Sequence, residues 1–228
     1  MNVMNREILN KIRGGIIVSC QALPDEPLYG KGIMTLMAKA AEIGGAVGIR
    51  ANGVEDIKDI KKSVKLPVIG IIKQEFSDSE VYITPTIEMA KLVIESGADI
   101  IALDATNRRR HNGLSLSELF KYIKEKSDII TMADISTLEE GINAQNMGFD
   151  IVATTLAGYT SYSRNLSYPD YDLLTELLKN LSIPVIMEGR VSRPEQARHA
   201  LNIGAYAVVV GSAITRPQEI TRRFVEAL

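Results

Sequence analysis

Met37-Ala38-Lys39-Ala40-Ala41-Glu42-Ile43-Gly44-Gly45 runs directly into Ala46-Val47-Gly48-Ile49, and this stretch decides the fold. Its first half is an alanine-containing helical run closed by glycine, the residue that takes the left-handed turn after a helix at no steric cost. Its second half is a short apolar run of strand length. The same unit returns as Ala90 to Gly97 before Ile100-Ile101-Ala102-Leu103, as Ala144 to Gly148 before Ile151-Val152-Ala153, and as Ala197 to Gly204 before Val208-Val209-Val210. Glycines 45, 97, 148 and 204 thus recur about every fifty residues, each a predicted helix end followed by a strand.

Between these units lie Ile16-Ile17-Val18, Pro67-Val68-Ile69-Gly70-Ile71-Ile72, Ile129-Ile130-Thr131-Met132 and Ile183-Pro184-Val185-Ile186-Met187. None of the apolar runs alternates cleanly with polar residues, as expected of parallel strands covered on both faces. Strand and helix therefore alternate eight times in 228 residues. This predicts one (β/α)8 barrel over residues 1–228, with Asn5–Arg13 as a short helix closing its bottom. A doubly wound open sheet is the rival. It is disfavoured because no Gly-x-Gly-x-x-Gly follows the first strand and because a fourfold repeat suits closure.

Composition bounds the function. Lys+Arg 26 against Asp+Glu 28 gives a net charge of −2, so no overall field recruits nucleic acid or an acidic membrane. Hydrophobic residues at 46% and charged residues at 24% describe an ordinary globular chain. The single cysteine, Cys20, excludes an internal disulfide and argues against a cysteine-cluster metal site. His111 and His199 lack metal-ligand spacing, and nothing points to a redox cofactor. The first thirteen residues carry Arg6, Glu7, Lys11 and Arg13 with no signal-length apolar run, so the expected compartment is the cytoplasm.

In such a barrel the chemistry sits where strands end. The expected end residues are Ser19-Cys20-Gln21, Arg50, Lys73, Asp104, Asp134, Thr154-Thr155 and Glu188. Counting back in twos puts Lys73 above Ile71 and Ile69, Glu188 above Ile186, Asp134 above Met132, and Arg50 above Gly48. Each charged group thus caps an apolar or small inward file and needs a partner or a ligand. Lys73 and Glu188 come from opposite sides of the ring and form either a buried salt bridge or a proton-transfer pair. Arg50 and Arg216 add local positive charge, which suits a small anion. Glu188-Gly189-Arg190 and Val210-Gly211-Ser212-Ala213 follow strands seven and eight, the two loops where barrels hold phosphate on backbone amides. Arg108-Arg109-Arg110 reads as a solvated loop or a subunit contact, and Tyr159, Tyr162 and Tyr168 as a lid or a packed turn. A phosphate grip beside an acid/base pair leaves three reactions open: proton abstraction next to a carbonyl, Schiff-base aldol chemistry through Lys73, and decarboxylation. The first is favoured because no second lysine lies near to activate Lys73 for imine formation. A non-catalytic sugar-phosphate sensor is the alternative outside enzymes.

Val18-Ser19-Cys20-Gln21-Ala22-Leu23-Pro24, Gly45-Ala46-Val47-Gly48-Ile49-Arg50-Ala51-Asn52, Leu103-Asp104-Ala105-Thr106, Met132-Ala133-Asp134-Ile135 and Val210-Gly211-Ser212-Ala213-Ile214-Thr215-Arg216-Pro217 resemble the N-acetylmannosamine-6-phosphate 2-epimerase family. The resemblance runs from the first strand to the last helix. It implies a ribulose-phosphate-binding type barrel of amino-sugar catabolism that interconverts N-acetylmannosamine 6-phosphate and N-acetylglucosamine 6-phosphate without a cofactor, as a homodimer. It also implies that Lys73 and Glu188 are the catalytic pair. Gln21, Arg50, Asp134 and Arg216 would contact the substrate, and Gly189, Gly211 and Ser212 would supply donors to its phosphate.

Overall fold

A computed structural model describes residues 2–228. Its strands are β1 (Ile16–Cys20), β2 (Gly48–Asn52), β3 (Val68–Ile71), β4 (Ile100–Asp104), β5 (Ile130–Asp134), β6 (Ile151–Ala153), β7 (Val185–Met187) and β8 (Ala207–Val210). All pair in parallel with their sequence neighbours, and β8 returns to β1 to close the barrel. Helices α1 (Val3–Ile12), α2 (Ile33–Ile43), α3 (Val54–Ser63), α4 (Ile87–Glu95), α5 (Leu116–Lys126), α6 (Leu138–Met147), α7 (Tyr171–Asn180), α8 (Pro194–Ile203), α9 (Ser212–Thr215) and α10 (Pro217–Val225) complete the chain.

Local chemistry sets the helix ends. Ser115 and Thr137 each cap their helix in a reciprocal box with the glutamate three residues on, Glu118 and Glu140. The repeated glycines end α2, α4, α6 and α8 at φ of +88°, +82°, +103° and +122° for residues 45, 97, 148 and 204. Between caps, apolar residues fall at helical spacing, as Leu119, Phe120 and Ile123 do on α5.

Alternation along each strand sorts the core into two shells. Ile17, Ile69, Ile71, Ile100, Met132, Ile151, Ile186 and Val209 fill the barrel interior, while Val18, Ile49, Val68, Ile101, Val152 and Val208 face the helices. From below, Leu9 and Ile12 of α1 join the interior shell and plug the barrel. This helix begins two residues earlier and ends one residue earlier than the Asn5–Arg13 expected, because Asn2 caps it and Arg13 is already extended.

At the top, residues after β3 fold back as a hairpin. Lys73 pairs antiparallel with Ile83, Gln74 N–H donates to the Tyr82 carbonyl at 3.0 Å, and Asp104 N–H donates to the Ile83 carbonyl at 3.1 Å. The returning segment thereby wedges between the ends of β3 and β4 and presents Tyr82 to the mouth.

Candidate active site

Every strand contributes its inward file to the same small volume, so the charged caps of these files must meet. Arg50 is at the centre. The expected end of the second strand was Arg50 itself; β2 instead continues to Asn52, which leaves the guanidinium inside the barrel at 1% exposure. Its two Nη groups bind both oxygens of Asp134, and Nη1 also donates to Glu188 Oε2 at 2.6 Å. Thr155 Oγ1 donates to Asp134 Oδ1 at 2.6 Å and lies 3.2 Å from Glu188 Oε2. Burial weakens the guanidinium's hold on its proton, but Asp134 and Glu188 more than offset this, so the group stays charged. Burial pushes the Glu188 carboxyl above the usual range, against the pull of Arg50.

Lys73 behaves differently. Its backbone N–H is pinned by Asn52 Oδ1 at 2.8 Å, just past β3, and its side chain reaches into the mouth. Among the described residues no carboxylate comes within ion-pair distance of its ammonium; Glu188 is bound to Arg50 instead. The Lys73–Glu188 salt bridge offered as one expectation is therefore not formed. Burial, reinforced by the nearby Arg50 charge, holds the Lys73 amine down at about 8 against the ordinary 10.5. A lysine in this state is part neutral near neutral pH and can take a proton.

One cavity of about 940 Å³ opens over this network. Gln21, Arg50, Lys73, Glu188, Gly189, Gly211, Ser212 and Arg216 all line it. Asp134, fully buried, stands behind Arg50 and does not reach the wall. Gln21 donates to Ser19 Oγ at 2.9 Å and leaves its amide oxygen buried without a partner. Next to it around the ring, past β7 and β8, Gly189 turns at φ +104°, and the first amides of α9 lack intrahelical acceptors. Thr215 ties this turn to β1 by donating to the Ser19 carbonyl at 2.8 Å. Arg216, Gly211 and Ser212 thus form a donor-rich wall facing Lys73 across the mouth. The set can hold an anionic ester at one end and exchange a proton at the other. Among the described residues no cluster of His, Cys, Asp or Glu could hold a metal ion.

A family model described as "Putative N-acetylmannosamine-6-phosphate epimerase" matches residues 34–228. The chain belongs to this epimerase family. A relative from Caldanaerobacter subterraneus subsp. tengcongensis, described as "Putative N-acetylmannosamine-6-phosphate 2-epimerase", is 58% identical over 223 residues, covering 97% of this chain and 94% of its own length. One of the same description from Clostridium perfringens is 53% identical over 221 residues, 97% of this chain and 100% of that protein. A solved N-acetylmannosamine-6-phosphate 2-epimerase from Clostridium perfringens superposes with a TM-score of 0.94 at 53% identity, covering 97% of this chain and 96% of that one. A Pyrococcus furiosus thiamine phosphate pyrophosphorylase, 17% identical with a TM-score of 0.60, shares the barrel alone.

The epimerase-family chain also makes contacts at the mouth that strand-end counting does not give. Thr155 was placed at a strand end, but its bonds to both carboxylates follow only from the closed ring. Tyr82 arrives on the returning hairpin, and burial pushes its phenol up to about 12. Arg190, at φ +57°, donates to the carbonyls of Ala157 at 2.6 Å and Gly158 at 3.0 Å, and its guanidinium lies 4.3 Å from the centre of the Tyr159 ring. A Cβ on Gly158 would stand 2.7 Å from Arg190 Nη1 and push the guanidinium off these carbonyls, and the residue's φ of +77° favours glycine. Of the three tyrosines, Tyr159 lines the mouth, Tyr162 donates to Glu140 at 2.6 Å, and Tyr168 is exposed. The Arg108–Arg110 run departs from the solvated loop expected. Arg108 bonds buried Asp104 at 2.7 Å and Arg110 is itself buried, because the hairpin after β3 packs over this loop through the Phe76–His111 stack.

Proposed function

We propose that this chain interconverts N-acetylmannosamine 6-phosphate and N-acetylglucosamine 6-phosphate by removing the C2 proton of the open-chain sugar and returning one to the opposite face. One observation carries the reading: a half-buried lysine with no counter-ion shares its cavity with a carboxylate already committed to an arginine. Lys73 is then available as a base, because nothing holds its proton in place. The C2 proton goes to the neutral amine, and the electron pair passes into the C1 carbonyl to give an enolate. Glu188, whose carboxyl burial pushes above the usual range, stands on β7 across the ring from Lys73 after β3; in its protonated form it gives its proton to the other face of C2 and is left as a carboxylate held by Arg50. Arg50 keeps Glu188 aimed, and Asp134 with Thr155 keeps Arg50 in place. Asp134 therefore serves the substrate through Arg50. The free amide oxygen of Gln21 accepts from a sugar hydroxyl or the N-acetyl N–H. Gly189, Gly211, Ser212 and Arg216 take the 6-phosphate.

No cofactor enters the scheme, since an aldehyde already makes the neighbouring proton acidic. The substrate class, a charged phosphate ester that does not cross membranes unaided, supports a cytoplasmic enzyme. No described helix is long and apolar enough to cross a membrane. A homodimer completes the reading. Helix α10 has no buried residue, yet carries Phe224 and Val225, 74% and 63% exposed, and a second copy would cover them.

Turnover in D₂O tests the chemistry. Deuterium must appear at C2 of the product; unlabelled product would exclude proton exchange at that carbon. Borohydride trapping of substrate on Lys73 would instead favour imine chemistry.

A further inference from the structure

Arg216 does not face the cavity alone. Glu26, from the loop joining β1 to α2, holds one edge of its guanidinium. Arg216 Nε lies 2.8 Å from Glu26 Oε1, and Nη2 donates to Oε2 at 3.0 Å. The carboxylate is itself fixed from two further directions. Leu23 N–H donates to Oε2 at 2.8 Å and Gln218 Nε2 donates to Oε1 at 3.0 Å. Each oxygen therefore accepts twice, once from Arg216 and once from a second donor, Gln218 on Oε1 and Leu23 on Oε2.

We propose that Glu26 is a positioning residue that sets Arg216 for the substrate's anionic group. The inference rests on the reading of Arg216 given above. An unheld arginine side chain spreads over many rotamers, and ordering it on binding opposes affinity. Glu26 does that ordering beforehand. Guanidinium carries five N–H donors in a rigid fork, and a carboxylate on the Nε/Nη2 edge leaves Nη1 for the cavity that Arg216 lines beside Gly211 and Ser212. Glu26 does not compete for that free edge, and its saturated oxygens give it no reason to leave when an anion arrives. Leu23, Pro24 and Asp25 of the same loop line the cavity, so the clamp also joins this wall to the anion-holding side.

Glu26→Gln keeps the shape but turns an amide N–H₂ toward donors, which breaks the paired edge. Such a loss of a charge-assisted contact raises KM for the phosphorylated amino sugar about tenfold. The inhibition constant of inorganic phosphate rises by the same factor, while kcat stays within about twofold. Glu26→Asp, a methylene shorter but still anionic, recovers part of the affinity. In an Arg216→Ala background, Glu26→Gln adds no further rise, because the residue it acts through is gone. Equal or lower KM in Glu26→Gln, with Arg216→Ala raising KM, overturns the positioning role and leaves Arg216 as a contact. Full additivity in the double variant overturns it too. If Arg216→Ala itself leaves KM unaltered, the assignment of Arg216 falls first and this proposal with it.

Discussion

Replacing Lys73 by methionine should stabilise the fold while abolishing turnover. In the folded protein burial holds the Lys73 amine at about 8, and in the unfolded chain it returns to 10.5. Each unit of difference corresponds to about 1.4 kcal/mol, so charging this amine in place opposes folding by at most roughly 3 kcal/mol at pH 7. The side chain keeps some contact with water, so a gain of about 1–3 kcal/mol is expected when a neutral chain of similar length replaces it. For a protein of this size that raises Tm by roughly 2–4 °C per kcal/mol. The sign with pH follows from proton counts. Between about 8 and 10.5 the unfolded chain binds a proton that the folded one does not, so wild-type stability climbs across this window. The variant lacks that climb, and its advantage shrinks to nothing by the upper end. Urea unfolding of both proteins at pH 7, 8, 9 and 10 reads the effect. A variant less stable at pH 7, or an advantage unchanged with pH, would refute the picture of a strained, uncompensated ammonium. The proposed role of this amine predicts a matching pH profile: at pH 7 roughly a tenth of it is neutral, so kcat/KM should climb towards a plateau above pH 8.

Gly211→Ala tests the turn after β8. A Cβ there meets Ser19 Cβ at 3.5 Å, an ordinary contact, so the methyl fits without displacing a neighbour. KM should rise at least about tenfold, as the methyl adds bulk to a turn that lines the cavity; unchanged KM in a steady-state assay would remove this turn from the anion site. Glu140, fully buried, accepts from Ser136, Thr137, Asn107 and Tyr162 and so joins the loops after β4, β5 and β6. Glu140→Gln should cost about 3 kcal/mol in chemical denaturation, since an amide N–H₂ would face donors where a charge was satisfied. The proposed homodimer predicts that the wild-type chain sediments as a dimer and that Phe224→Asp together with Val225→Asp sediments as a monomer; equal mass for both proteins would remove this face of α10 from the proposed interface.

The sequence alone determined the barrel and the faces of its strands. Glycines 45, 97, 148 and 204 are forced by the backbone turn after a helix, and that requirement is local. Parity along each strand is equally local, which is why Lys73, Asp134 and Glu188 could be placed inward by counting in twos. Partners across the barrel are another matter. Arg50 meets Asp134 and Glu188 over separations of 84 and 138 residues, and those contacts exist only once eight tilted strands have closed. Closure gave Glu188 to Arg50 and left Lys73 without a counter-ion, a division that no spacing of letters encodes. The same holds for Glu26 on Arg216, 190 residues apart, and for the burial of Arg110 beside a hairpin from the preceding loop. Short-range sterics write themselves into a sequence; electrostatic pairing depends on which distant charges the tertiary fold brings within a few ångströms.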